Sequence, residues 1–337
     1  MLNKIVILWF LMLGMLSELA AQDLHYSQYY YNAQNLAPSA IGRFDGDDRV
    51  TLNYRNQWLS LPVPYNTFSF LYDGQRNFKG SKSSFGMGFG LDYDRAGDSK
   101  LNMAKVVAGF SYTPYFSKQH SITIGFLPAI AQRRLSAEGL RWDRQWNGDR
   151  YDPNLSPNEN FATSGDFFLD LSAGISYAYQ LAPRTSFALH GSFFHLNRPN
   201  QTFYGINDAF VRLPVRYSLA AHFNIGLFSL VDLIVGGNYQ IQEKYKEALG
   251  SARLRLRLNQ TPGQVLNLLA GCNVRMSDAI IPTGGIEYKN WMVSLSYDIN
   301  TSFFKVATNK KGGPEIAVQY VFARVKSSGI YKKCPIY

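Results

Sequence analysis

Charge is scarce in this chain: only 17% of its 337 residues are Asp, Glu, Lys or Arg, where a soluble domain usually carries nearer a quarter. Cysteine is scarcer still. Cys272 and Cys334 are the only two, too few for the dense disulfide framework of a small secreted domain. They either pair or stand as two unrelated thiols. Beyond residue 21 there is no run of eighteen or more consecutive apolar residues, which argues against a helical inner-membrane protein. Catalytic motifs are missing too. The five histidines, His25, His120, His190, His195 and His222, form no i,i+4 helical pair and no H-E-x-x-H motif. His190 and His195, read on one strand, are expected on opposite faces. There is no G-x-S-x-G elbow. "GMGFG" from Gly86 to Gly90 lacks phosphate-loop spacing and reads as strand glycines that curve or approach a plug. Asp92 and Asp94 share a strand face about 7 Å apart and read as lumenal carboxylates answering arginines. The expectation is therefore no catalytic residue, no cofactor and no metal.

What is present points elsewhere. Aromatic residues make up 15% of the chain, with 22 Tyr, 23 Phe and 28 Gly. The formal net charge is +10, but the basic residues are scattered along alternating segments and form no patch on a nucleic-acid-binding fold. The first 21 residues have Lys4, an apolar run from Ile5 to Leu16 and small residues at Ala20 and Ala21, the pattern of a cleaved secretory signal peptide. The apolar run is too short to anchor a helix across a bilayer, so the mature chain is expected to begin at Gln22, outside the cytoplasm.

Strict alternation then recurs over segments of about ten residues, the period of a strand with one apolar and one wet face. In "RVTLNYRN", Val50, Leu52 and Tyr54 oppose Arg49, Thr51, Asn53 and Arg55. The segments "DFFLDLSAGISYAYQ" and "NWMVSLSYDIN" repeat the pattern. Strands are expected near 48–59, 65–74, 83–95, 100–113, 119–133, 166–180, 184–197, 212–226, 229–242, 245–259, 263–275, 278–288, 290–301 and 313–325. These segments are longer than most globular strands, and aromatics gather near their ends. Together these features predict an all-β transmembrane antiparallel barrel of about 14 strands. With both termini periplasmic, the two longest gaps, Leu135 to Gly165 and Arg198 to Val211, fall on the outer side. The tight links "LAPR" and "GLFS" fall on the inner side, as in outer-membrane barrels.

Two features read as candidate partner-binding sites. In "ARLRLRLN", Arg253, Arg255 and Arg257 line one strand face and need water or acidic partners. That ladder suits an acidic polypeptide, an anion-selective pore, or a lumen neutralised by its own acids or a folded loop. Trp142 and Trp146, in the long outer loop, are either exposed anchors for a partner or part of the loop's own small core.

The ends of the chain are the most distinctive. The leader "QDLHYSQYYYNAQNLAPSAIG", "RVTLNYRNQWLSL" with "YNTFSFLYDG", "YDINTS" before "GGPEIAVQYVF", and the closing "KKCPIY" resemble the PorP/SprF family of Bacteroidetes outer-membrane proteins. Where members more often read Leu-Asn-Pro-Ala-x-x-Gly, this chain has Ala37 and Ser39. The resemblance implies a non-enzymatic outer-membrane component of type IX secretion and gliding. Its partners would be a periplasmic ring or peptidoglycan-linked component of that machine, or a secreted adhesin with a C-terminal signal domain. A diffusive channel for anions or small solutes is the alternative. The expected organisation is signal peptide 1–21, plug-like leader 22–47, barrel 48–325 and periplasmic tail 326–337. The leader's lack of period and its wealth of Tyr, Asn and Gln suit stacking and hydrogen bonding in a narrow wet space. Gln22 to Gly42, with His25, Tyr26, Ser27, Gln28, Tyr29 and Tyr30 as its candidate contact residues, is expected to pack into or across the periplasmic mouth.

Overall fold

A computed structural model of the protein describes residues 23–58, 65–77, 83–97, 101–117, 119–135, 140–157, 165, 167–201, 211–303 and 305–322. The expected signal peptide, Gln22 and the expected tail with Cys334 lie outside the described residues. Fourteen antiparallel strands form one closed barrel, each paired with its sequence neighbours, and β1 pairs with β14 to complete the ring. The strands are β1 Asp48–Gln57, β2 Tyr65–Asn77, β3 Ser83–Ala96, β4 Leu101–Pro114, β5 His120–Arg134, β6 Phe167–Ala182, β7 Thr185–Phe194, β8 Arg216–Phe228, β9 Val231–Gln242, β10 Tyr245–Asn259, β11 Leu266–Arg275, β12 Ala279–Tyr288, β13 Trp291–Asn300 and β14 Lys311–Phe322. Closure removes the unpaired edges that an open sheet of this length would expose.

Side-chain parity decides which face meets which solvent. On β1, Leu52 and Tyr54 are exposed while Thr51, Asn53 and Arg55 are buried; on β10, Leu254, Leu256 and Leu258 point out and Arg253 points in. Leu219, Ile130, Phe110, Leu169 and Leu295 join them on the outside. An apolar exterior on every strand is incompatible with water and fits lipid, so the fold is a membrane β-barrel. Aromatic side chains gather at one end of this outer surface. His120, Tyr179 and Phe187 pack in sequence with Phe223, and Trp291 with Tyr320 and Phe322. Such a girdle marks a bilayer interface.

The two ends of the barrel differ. Odd-to-even connections, including the long segments after β5 and β7, share what we term the loop end; even-to-odd connections share the turn end, where β1 starts and β14 finishes. Left-handed backbone closes two of the four two-residue links, at Glu243 (φ 52) between β9 and β10 and Lys289 (φ 55) between β12 and β13, as in the primed hairpin turns. Several strand bounds shift by a few residues from the expected ones, and at two of them the reason is visible. β7 stops at Phe194 because His195 takes φ 60, and β8 begins only at Arg216, after an extended link in which Asn200 bridges Arg212. Ending β7 there also corrects the expectation for His190 and His195. Both lie inside the barrel, because His195 is beyond the strand and turns back to Asp170. Cys272 is half-buried on β11, next to the inward-facing Asn273.

Candidate functional site

The lumen is occupied by the chain's own leader. Three single turns, Tyr29–Tyr31, Ala33–Leu36 and Pro38–Ala40, carry it. Asn32 caps the second by accepting the Asn35 N–H, and Pro38 starts the third at a position that lacks a donor requirement. The segment does not stop at the mouth where β1 starts. It climbs the lumen, so that Asp23 reaches the loop end while Phe44 and Gly46 remain at the turn end beside Gln75. The leader expected to pack into or across the mouth thus runs the length of the lumen, where wall and leader offer matched partners.

At the loop end Asp23 meets His195 Nε2 at 3.0 Å and Arg216 Nε at 3.2 Å, while His195 Nδ1 lies 2.9 Å from Asp170. Arg216 also stacks 4.0 Å over Phe194. Burial opposes ionisation of Asp23, but Arg216 and His195 outweigh it and hold the carboxyl well below its usual range. For His195 burial opposes the charge, yet Asp23 and Asp170 raise its pKa. An imidazolium donating from both nitrogens is the form that satisfies two carboxylates. His25 is held well below the usual histidine value by burial and by Arg55 and Arg275.

One layer down, four wall charges converge on Ser27 and Gln28. Glu315 accepts both backbone N–H groups, at 2.7 and 2.8 Å. Ser27 Oγ donates to Asp298 at 2.6 Å and accepts from Arg275 at 2.7 Å. Arg55 bridges Asp298 at 2.8 Å and donates to the His25 carbonyl at 2.8 Å. Two arginines and two acids from β1, β11, β13 and β14 thus enclose two leader residues whose exposure is zero. Burying such charges is tolerable only because each is paired and hydrogen-bonded.

The tyrosines come next. Tyr30 lies 3.4 Å beneath the Arg253 guanidinium, whose Nη1 donates to Tyr31 Oη at 2.9 Å. Tyr29 Oη pairs with Ser251 at 3.0 Å. Burial pushes the Tyr29 and Tyr31 phenols up to about 12, so they act as neutral hydrogen-bonding rings. Below them Gln34 donates to Ser69 and Asp92, both at 2.7 Å, and Asn35 donates to Asp92 at 3.1 Å. Instead of the expected arginine, Asp92 has Lys105 as its cation, at 3.3 Å. Asp94 accepts from Thr67.

An apolar core then closes the middle of the lumen, built from Leu36, Ala37, Ala40 and Ile41 of the leader and Leu71, Val107, Leu127 and Ile281 of the wall. Ser39 Oγ meets Ser176 Oγ at 2.5 Å, and Gly42 N donates to Asp73, which Arg49 holds in a fork at 2.8 and 2.9 Å. The wall makes room with glycine. A Cβ on Gly86 would strike the Ile41 carbonyl, and one on Gly125 would fall inside the backbone of Pro38 and Ser39. This accounts for "GMGFG": Gly86, Gly88 and Gly90 face the leader.

The candidate partner residues are placed as follows. Arg253 is engaged by Tyr30 and Tyr31; Arg255 by Glu287 at 3.0 Å and Asp232 at 3.8 Å; Arg257 by Gln260. Trp146 is 59% exposed on the long loop, whereas Trp142 is half-buried where Gln145 accepts its backbone N–H. The strand charges that grip the leader, Arg55, Arg275, Asp298 and Glu315, escaped the sequence reading. For Arg275, Asp298 and Glu315 the signal was a single charge among the inward positions of the strand, whereas Arg55 shares its face with Arg49. Among the described residues no group of three His, Cys, Asp or Glu is arranged to hold a metal.

Solved transporters and channels share the fold. The crystal structure of the Ralstonia pickettii toluene transporter TbuX has a TM-score of 0.52 at 11% identity, covering 86% of this chain and 93% of that one. A Pseudomonas aeruginosa FadL homologue gives 0.51 at 9%, covering 87% and 94%. The CymD monoaromatic hydrocarbon channel gives 0.50 at 11%, covering 87% and 93%. At such identities the likeness carries the fold alone. No curated protein matches the chain. The family described as "Type IX secretion system membrane protein PorP/SprF" matches residues 18–320, nearly the whole chain, and the protein belongs to that family.

Proposed function

We propose that the protein is a non-enzymatic outer-membrane barrel of the type IX secretion and gliding machinery, with both termini periplasmic. It holds a partner polypeptide, either a component of the secretion machine or a secreted adhesin. The observation that carries this reading is the occupied lumen. A barrel whose interior is hydrogen-bonded and ion-paired to its own leader from Asp23 to Gly42 is built to present surfaces at its two ends. The exposed Trp146 and the outer part of the ladder, Arg255 and Arg257, are the proposed partner contacts, Arg257 having the guanidinium least committed to the barrel itself, while Arg253 is buried against Tyr30 and Tyr31 of the leader.

Deleting the gene and measuring secretion, surface adhesins and motility tests the proposal. Loss of at least one is expected, and all three unchanged would sink it. Charge reversal at Arg255 and Arg257 is expected to weaken recovery of the co-purifying partner, and wild-type recovery would count against the ladder. A second reading, a diffusive channel, is favoured by the free space left at the two ends, cavities of about 510 and 340 Å³. Steady anion-selective current through the full-length barrel would support it.

A further inference from the structure

The two cavities have different chemistry. That of about 510 Å³ at the loop end is lined by both signs of charge, with Asp23, Asp94 and Glu247 facing Arg55, Arg133 and Lys246. The one of about 340 Å³ opens toward the turn end, and no Asp or Glu lines it. Its sole constitutive charge is Arg43 of the leader. Arg43 donates to Tyr115 Oη at 3.1 Å and Ser121 Oγ at 3.3 Å, and among the described residues no carboxylate lies within ion-pairing distance of it. A guanidinium has five N–H donors, and only two have protein acceptors here. On the same wall the His222 Nε2 and Asn224 Oδ1 atoms are buried without hydrogen-bond partners.

Among the described residues Arg43 shares this lack of a carboxylate partner with Arg133, Arg253 and Arg257, which are met by Gln201, Tyr31 and Gln260, but unlike Arg133 it lines a cavity with no carboxylate in its wall. Arg49, Arg55, Arg216, Arg255 and Arg275 all have carboxylate partners in the lumen. Arg43 is half-buried, so its charge is only partly hydrated and gains from an anion, and orphaned polar atoms lining the same cavity mark a place where hydrogen-bond partners are missing. A planar carboxylate satisfies a guanidinium with two parallel hydrogen bonds. A bare carboxylate ion, however, would leave most of the cavity empty, since spaces of this volume suit ligands of several residues' bulk. The formal net charge of +10 adds a long-range pull on acidic segments.

We propose that the turn-end cavity is a carboxylate-binding site with Arg43 as its anion-binding group, and that it receives an acidic side chain of a partner polypeptide. The polypeptide nature of the occupant rests on the reading of the protein as a partner-holding barrel; the carboxylate chemistry does not. Because Arg43 directly follows Gly42, whose N–H is held by Asp73, an occupant there pulls on the leader itself.

The test is calorimetric titration of the full-length barrel in detergent, at low salt, with a capped hexapeptide of glutamates, its glutamine counterpart and inorganic phosphate. The glutamate peptide is expected to bind and the glutamine peptide not. Arg43→Gln should weaken glutamate binding at least tenfold, Arg43→Lys, which keeps the charge and loses the fork, should retain part of it, and Lys246→Gln at the loop end should leave it unchanged. Equal binding by wild type and Arg43→Gln, or no binding by wild type, overturns the site. If Arg43→Gln perturbs the leader, the Lys variant decides: loss of binding in it while the barrel stays folded also counts against the site. Phosphate competing as well as the peptide at equal charge overturns the polypeptide occupant. Unchanged secretion in the deletion strain, with peptide binding intact, would instead fault the proposed function.

Discussion

Replacing Glu315 by Ala should release the upper half of the leader while leaving the barrel closed. Glu315 on β14 accepts the Ser27 and Gln28 N–H groups at 2.7 and 2.8 Å, in a place where both residues have zero exposure. Leaving a buried N–H without its acceptor costs about 1–3 kcal/mol, so orphaning two costs docking about 2–6 kcal/mol. At 1.4 kcal/mol per factor of ten, the undocked population rises roughly thirtyfold to ten-thousandfold. Arg55 keeps Asp298 at 2.8 Å, so the β1–β14 seam does not acquire an unpaired cation. Glu315→Gln retains one good acceptor and should lose about half as much. Hydrogen-exchange mass spectrometry on the purified barrel reads this directly, through residues 23–31 against β5 and β6. Faster exchange confined to the leader is expected. Wild-type protection of residues 23–31 in Glu315→Ala would refute the reasoning.

Three further perturbations address other layers. A raised histidine stabilises fully below its ordinary pKa of 6.5 and loses that contribution as pH rises through its folded value; a lowered aspartate stabilises above 3.8 and loses its contribution as pH falls through its folded value. The Asp23–His195–Asp170 clamp is therefore strongest between these values. After correction for intrinsic rates, protection of residues 23–25 should weaken toward alkaline pH, and His195→Gln should flatten that dependence; the same slope in the variant would contradict it. Gly125→Val drives a side chain into the Pro38–Ser39 backbone, an overpacking cost of about 1–3 kcal/mol, and should raise exchange at residues 36–41 roughly tenfold. Gly250→Ala, whose added carbon meets open space, is the matched control. Trp146→Ala should leave the leader and barrel stability unchanged and reduce partner recovery, since the side chain lies on the exposed loop.

Alternation made the barrel legible because strand parity is a local property: Leu254, Leu256 and Leu258 against Arg253, Arg255 and Arg257 reads the same in sequence and in space. Fourteen strands and the short turns followed from it. The leader was legible as an anomaly through its tyrosines and amides, but its path was not. Which wall charge meets Ser27 depends on pairing between residues more than 240 positions apart, such as Arg55 with Asp298, and no local period encodes that. The inward glycines carried a partial signal: a run such as Gly86, Gly88 and Gly90 on one face marks close approach, without saying what approaches. His195 misled because its left-handed backbone ends β7 at Phe194, three residues short of the expected 197.

The central claim is that the leader closes the lumen and that the barrel holds partners instead of passing solutes. Planar-bilayer recording on the purified protein, with and without residues 22–47, tests it most directly. The account predicts a silent full-length barrel and sustained current once the leader is removed. Steady conductance from the full-length protein with its leader docked would contradict it.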